Sequence, residues 1–335
     1  MNDPPKIAVI ISNMGGPDSL DAVEPYLYNI FKDRDIIDIP LPEFLRDLLV
    51  RWLAKKRAPE SRGIYEKLGG KTPLTEITSQ QARHLQDLLN KSTENDFKVF
   101  PAMRYWHPLL EEVWKQVAGQ SFDTIVVVSL YPFYSTTTSG SLEKLIRRLL
   151  QTHPVAEGDL RIINRYGNHP LFISAIADTI KSVIAANPQI EFRDLLFSAH
   201  SIPMARIRRG DPYRHEVEEA VRLIQQQLPA ELRVHLAYQS KLGPVKWLSP
   251  GTSDKINQLA GQGVKNLLVY PLGFVADNSE TLYEIGMLYR ELAESKGISN
   301  YYRIDALNTD ERFIQLLKKL ILQSLRSPAG VALEM

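Results

Sequence analysis

TIVVVSL (124–130), YPFYSTTTSG (131–140) and SLEKLIRRLL (141–150) follow one another without a break, and their reading decides the fold. The first is a continuous β-branched run, too short for a helix of this burial, and reads as a strand covered on both faces. The third places Leu142, Leu145, Ile146 and Leu149 at spacings of three and four, the stripe of an amphipathic helix. A buried strand feeding a helix is the repeating half of a parallel α/β layer. Outward from this unit the same alternation recurs. Strands are expected at Lys6 to Met14, Phe97 to Arg104, Thr124 to Tyr131, Leu160 to Asn164, Asp194 to Ala199, Val234 to Gln239 and Asn266 to Pro271. Helices are expected at Thr78 to Leu89, Leu109 to Val117, Ser141 to Leu150, Pro170 to Ala185, Asp211 to Leu228 and Ser253 to Ala260. The chain reads as bipartite, residues 5–165 and 166–326, with the last helix packing on the N-terminal half.

Composition bounds the function. With 335 residues, two domains of ordinary size are expected, and 44% apolar with 24% charged residues is globular composition. Forty basic residues against thirty-nine acidic ones leave a charge of +1, so no global field favours nucleic acid as a partner. The absence of cysteine removes thiolate catalysis, disulfides and iron–sulfur ligation together. The apolar run near the N-terminus lacks a basic region before it and reads as the first strand, and no run approaches the ~18 apolar residues of a membrane span. The expected compartment is the cytoplasm.

Several stretches carry candidate chemistry. Residues 36–57, IIDIPLPEFLRDLLVRWLAKKR, form a basic amphipathic helix in which Phe44, Leu45, Leu48, Leu49, Trp52 and Leu53 share a face beside Arg46, Arg51, Lys55, Lys56 and Arg57. A helix that covers the core is one reading; a lip touching a bilayer or a greasy ligand, at the inner membrane face, is the other. Asn13-Met14-Gly15-Gly16-Pro17 after the first strand would let backbone approach a ligand closely. It lacks dinucleotide-fold spacing, and Gly69-Gly70-Lys71-Thr72 lacks the first glycine of a P-loop. The hydroxyl-rich loop from Tyr131 to Ser141 opens a helix, where anions are stabilised or the helix is simply capped. His200 ends a strand that Pro203 stops, a position from which an imidazole can accept a proton or bind a metal at neutral pH. Asp277, Glu280 and Glu284 line one helical edge, or Asp277 and Glu280 form a capping box.

Seven motifs, in order, resemble the ferrochelatase family: NMGGP at Asn13, KDRD around Arg34, FPAMRYWHP around Arg104, LYPFYSTTTSGS, FSAHSIP with RGDPY, YQSKLGPVKWLSP around Trp247, and GFVADNSETLYEI around Glu280. The resemblance implies two similar Rossmann-like domains, each a parallel sheet flanked by helices, with a porphyrin cleft between them. It implies a lyase that inserts Fe2+ into protoporphyrin IX to give protohaem in haem biosynthesis, releasing two protons. Porphyrin and ferrous iron are then the partners. Iron is substrate, no cofactor is held permanently, and without cysteine no iron–sulfur cluster is expected. The resemblance makes His200 and Glu280 the facing pair at the metal, with Asp277 and Glu284 as an acidic track. It puts Met14, Arg34, Arg104, Tyr131, Ser135, Thr138 and Trp247 around the porphyrin. Asn278 stands where many members have His, and Met14 leans towards protoporphyrin over coproporphyrin. A coproporphyrin enzyme, another tetrapyrrole chelatase and a non-catalytic porphyrin carrier are the alternatives.

Overall fold

A computed structural model describes residues 3–37, 40–155, 160–240 and 245–326. Residues 38 and 39 of the amphipathic segment and 241–244 of the Trp247 motif lie outside the described residues. Among the described residues, 3–130, 136–164 and 317–326 make one unit, and 131–135 with 165–316 make the second.

The first unit runs β1 (Lys6–Asn13), α1 (Val23–Lys32), α2 (Glu43–Lys67), α3 (Leu74–Ser92), β2 (Asp96–Met103), α4 (Leu110–Ala118), β3 (Thr124–Ser129), α5 (Ser139–Thr152) and β4 (Leu160–Ile163). Its strands are all parallel, in the order β2-β1-β3-β4. The second runs α6 (Pro170–Ala186), β5 (Asp194–His200), α7 (Met204–Arg208), α8 (Tyr213–Gln225), β6 (Arg233–Gln239), α9 (Thr252–Gly261) and β7 (Asn266–Leu272). A π-helix (Glu280–Leu288), α10 (Tyr289–Ser295), β8 (Asn300–Arg303) and the start of α11 (Glu311–Arg326) complete it. Its strand order, β6-β5-β7-β8, is again parallel and repeats that of the first unit position by position. The register repeats too. Asn13 pairs with Met103 at the end of β1, and His200 pairs with Gln239 at the end of β5.

The central strands carry the uninterrupted apolar runs because helices cover both faces. Ala8, Ile10, Ile125 and Val127 meet Leu110, Trp114, Leu142 and Ile146 in one core, and Leu196, Leu267 and Val269 meet Ile256, Ile285 and Tyr289 in the other. Each large apolar side chain so buried contributes about 1.5–3 kcal/mol. In such sheets a ligand site lies outside the carboxyl ends of the strands where the strand order reverses. Those ends are β1 and β3 in the first unit, and β5 and β7 in the second.

Three features differ from, or add to, what the sequence led one to expect. Helix α2 does not cover the core with its large apolar residues. Its inner side is Arg46, Val50, Ala54, Ala58, Ser61 and Tyr65, whereas Phe44 is 67% exposed, Leu48 62% and Trp52 56%. Small residues let the helix lie close, and Arg46, read as part of a solvated face, is buried instead. Its Nη2 donates to the carbonyls of Phe31, Lys32 and Ile37, so the guanidinium satisfies and charge-complements the C-terminal end of α1. The Gly15-Gly16 pair also serves internal packing. Gly15 has φ +81°, and a Cβ there would lie 2.8 Å from Met103 Cβ; one at Gly16 would lie 2.3 Å from Thr72 Cγ2. Finally, β8 adds an edge strand where none was expected.

Candidate active site

In the second unit the switch point is occupied by chemistry. His200 closes β5 and Glu280 opens the π-helix after β7, so the two come from the strands that flank the reversal. His200 Nε2 lies 3.8 Å from Glu280 Oε2, and the imidazole is 41% exposed. That separation is too long for a hydrogen bond and leaves the two groups facing one another. His200 Nδ1 is 2.6 Å from the carbonyl oxygen of Ser201. A carbonyl can only accept, so Nδ1 carries a hydrogen there and Nε2 is the ring nitrogen turned to the Glu280 side. The His200 backbone is held in turn by Tyr213, whose buried hydroxyl donates to its carbonyl at 2.9 Å.

The π-helix sets the spacing of the acids. Its hydrogen bonds reach five residues back, which widens the turn and stacks residues four apart nearly along the axis. Thr281 and Ile285 are buried on one column, and Glu280 and Glu284 form the adjacent, half-buried one. Tyr301 supports it by donating to the Ile285 carbonyl at 2.7 Å. Glu284 is held on three sides: Ser240 Oγ donates at 2.6 Å, the Ser240 amide at 3.2 Å and the Tyr289 hydroxyl at 2.6 Å. Ser240 reaches it from φ +61°, a left-handed conformation that a serine adopts at some cost. Gln239 Nε2 donates to Glu280 at 3.3 Å. Burial pushes the Glu280 carboxyl above its ordinary value and the Glu284 charge adds to this, while His200, Gln239 and Ser240 oppose it.

Asp277 is placed differently from the expected acidic edge. It is buried, with Oδ1 accepting from Thr281 Oγ1 at 2.6 Å and Arg303 Nη1 at 2.8 Å, and Oδ2 accepting from Asn308 Nδ2 at 2.8 Å. The start of the helix is capped by Asn278, not by a pairing of Asp277 with Glu280. Asn278 Oδ1 accepts from the Glu280 and Thr281 amides at 2.8 and 3.2 Å. Among the described residues, no three His, Asp or Glu side chains come together in a group able to hold a metal ion.

The remaining expected residues divide between the units. Ser135 is buried in the second and donates to Asp211 Oδ2 at 3.0 Å, which ties the hydroxyl-rich loop to the RGDPY motif. Tyr134 N adds a bond to Glu216 at 2.8 Å. Tyr131 in that loop is half-buried. Trp247 forms an antiparallel bridge with Pro203, so its motif is stitched to the loop that follows His200. In the first unit Met14 is half-buried behind β1, and Thr138 stands at the N-cap of α5. Arg34 is exposed and pairs with Glu43. Its neighbour Asp33, missed in the sequence, is the organising acid. Its Oδ2 accepts from Arg104 Nη2 at 2.7 Å, Ser141 Oγ at 2.7 Å and the Tyr105 hydroxyl at 2.8 Å. Burial alone would raise the Asp33 carboxyl, yet Ser141, the Arg104 charge, Tyr105 and the Asp35 amide together hold it below its ordinary value.

A pH prediction arises here. A depressed folded-state carboxyl contributes stability above the unfolded value of about 3.9 and loses it as pH falls through the lower folded one. Asp33→Asn leaves Arg104 buried without its counter-charge and is expected to destabilise the first unit by about 3 kcal/mol at pH 7. The gap to wild type should shrink below about pH 4, read from urea midpoints at pH 7, 5 and 3. A gap independent of pH would mean that the ion pair contributes nothing.

The second unit of this twinned parallel α/β fold brings an imidazole and a carboxylate together over its switch point. The chain's architecture is shared with solved structures of the chelatase SirB. The fold matches SirB from Bacillus subtilis with Fe3+ at a TM-score of 0.55 and 11% identity, covering 97% of this chain and 96% of that one. It matches the SirB structure in complex with cobalt, from the subspecies spizizenii, at 0.53 and 11%, covering 96% and 94%. The chain belongs to the ferrochelatase family, whose sequence profile matches residues 6–325. Proteins named ferrochelatase from Geotalea uraniireducens, Aquifex aeolicus and Synechocystis are 41%, 40% and 38% identical to it. The alignments cover 97%, 94% and 96% of this chain and 99%, 98% and 84% of the relatives. It is an enzyme of haem biosynthesis that inserts a metal into a porphyrin.

Proposed function

We propose that the chain inserts Fe2+ into protoporphyrin IX, with His200 accepting pyrrole protons and Glu280 and Glu284 receiving the incoming cation. One observation carries this: His200 Nε2 faces the Glu280 carboxylate across 3.8 Å while Nδ1 is engaged by the Ser201 carbonyl. A free-base porphyrin loses two pyrrole protons as a hydrated cation loses its waters. A neutral imidazole suits the first task, worth typically ~10²–10⁴ in rate. Carboxylates on a solvent-reaching helical edge suit the second. Met14, Arg34, Arg104, Tyr131, Ser135, Thr138 and Trp247 are assigned to porphyrin placement, directly or by shaping the loops that touch it. Asp277, tied to Arg303 and Asn308, acts by fixing where the π-helix begins. The test is anaerobic turnover with Fe2+ and either protoporphyrin or coproporphyrin as acceptor. A higher kcat/KM for protoporphyrin supports the substrate assignment, and a preference for coproporphyrin overturns it.

The outward side of α2 supports peripheral membrane contact. No helix among the described residues is long and apolar enough to cross a membrane. Leu41, Phe44, Leu45, Leu48 and Trp52 are nevertheless all exposed on one short stretch, beside Arg51, Lys55 and Lys56. Exposed aromatics and leucines rimmed by cations fit the headgroup boundary of an anionic bilayer. Leu48→Ser with Trp52→Ser should abolish flotation with anionic vesicles and raise KM for porphyrin, while the thermal midpoint stays near wild type, because neither side chain is buried. Loss of the thermal transition in this variant would instead return the helix to a core-supporting role.

A further inference from the structure

Behind the site, wholly inside the second unit, a line of polar side chains shut off from solvent ends on the Glu280 carboxylate. Thr252 opens α9, Ser198 sits within β5 and Gln239 ends β6; they are 1%, 0% and 1% exposed. Thr252 Oγ1 is 2.8 Å from Ser198 Oγ, Ser198 Oγ is 2.7 Å from Gln239 Oε1, and Gln239 Nε2 is 3.3 Å from Glu280 Oε2. The chemistry of the last link fixes the direction of all the others. A carboxylate can only accept, so the amide must turn its NH2 to Glu280 and its oxygen to Ser198. Ser198 must then spend its single hydrogen on Gln239, and Thr252 must donate to Ser198. A buried polar row with each member satisfied is rigid, and each bond polarises the next in the same sense.

We infer that Ser198 and Thr252 are positioning residues for the metal-receiving carboxylate: they lock the amide of Gln239 so that its NH2, and not its oxygen, faces Glu280. Without the Ser198 hydrogen the buried Gln239 oxygen has no donor, and the amide gains by rotating. Rotation brings oxygen against the carboxylate, which swings away from its place opposite His200. The effect therefore falls on capture of the cation and not on the porphyrin. This rests on the assignment of Glu280 to the metal.

The experiment is steady-state kinetics under anaerobic conditions, with Fe2+ and porphyrin varied separately. Ser198→Ala should raise KM for Fe2+ about three- to tenfold, the worth of one buried hydrogen bond, with KM for porphyrin unchanged. Gln239→Leu should do the same, and Ser198→Ala should add nothing in the Gln239→Leu background, because both act through one amide. Thr252→Val, isosteric but without the donor, should show a smaller shift, and Thr252→Ser should restore the wild-type value. Equal, additive losses in the double variant would overturn the inference, as would an unchanged KM for Fe2+ in both Ser198→Ala and Thr252→Val. Glu280→Gln separates the two levels. If it keeps wild-type KM for Fe2+ and kcat, the metal assignment itself fails; if it is impaired while Ser198→Ala is normal, only the positioning chain fails.

Discussion

His200→Ala is expected to lower kcat for metal insertion by ~10²–10⁴ while porphyrin affinity, read from fluorescence quenching, stays within a few-fold. The geometry separates the two effects. The imidazole presents Nε2 to the Glu280 side, and its ring, 41% exposed, supports no core. Its backbone place is set independently by β5 pairing and by Tyr213 at the carbonyl, so truncation leaves strand and loop where they are. What is lost is the imidazole that faces Glu280 and is assigned to proton acceptance. Turnover above a tenth of wild type would mean that protons leave by another route.

Glu280→Gln should show two opposite changes in one protein. Activity should fall at least about a hundredfold if the charge receives the cation, since the amide is nearly isosteric yet neutral. Stability should rise. Burial, reinforced by Glu284, lifts the Glu280 carboxyl above its ordinary value. A group whose folded value is raised contributes stability below its unfolded value, about 4.3, and loses it as pH climbs through the folded one. At pH 7 to 8, above the unfolded value, the wild-type carboxyl is therefore a burden that Gln removes. The thermal midpoint of the variant should exceed that of wild type at neutral pH, with the difference closing near pH 4. An active and unshifted Glu280→Gln would reduce Glu280 to a residue of the helix start.

The parallel α/β layers were legible because each buried strand is a run such as Thr124–Ser129 and each helix repeats its apolar residues at three and four. β8 escaped because Asn300–Arg303 is four residues long with one buried side chain. The π-helix escaped for a subtler reason. Glu280 and Glu284 look alike on an α- and a π-helix, and the extra residue per turn is decided by tertiary partners such as Tyr301. Hydropathy misjudged α2 because the side that packs holds one arginine and mostly small residues, Ala54, Ala58 and Ser61, beside only Val50 and Tyr65. His200 and Glu280 could be singled out by residue type. Gln239 and Ser240 could not, since their importance comes from lying one strand away from His200, and Asp33 likewise acts on Arg104 seventy-one positions downstream.

The matching strand order of the two units has a bearing on the ancestry of the chain. Two halves that agree in topology and in register are what duplication of a half-length ancestor leaves behind. The copies have since parted in labour. Where one half has His200, the other has Asn13, whose side chain is consumed locally, bonding to Thr78 Oγ1 at 3.1 Å and to the Met14 amide at 2.8 Å. An amide has no readily exchanged proton to pass on, so of the two matching positions only the one in the second unit can do acid–base chemistry. On duplication, a reconstructed ancestor should carry the same residue at both positions.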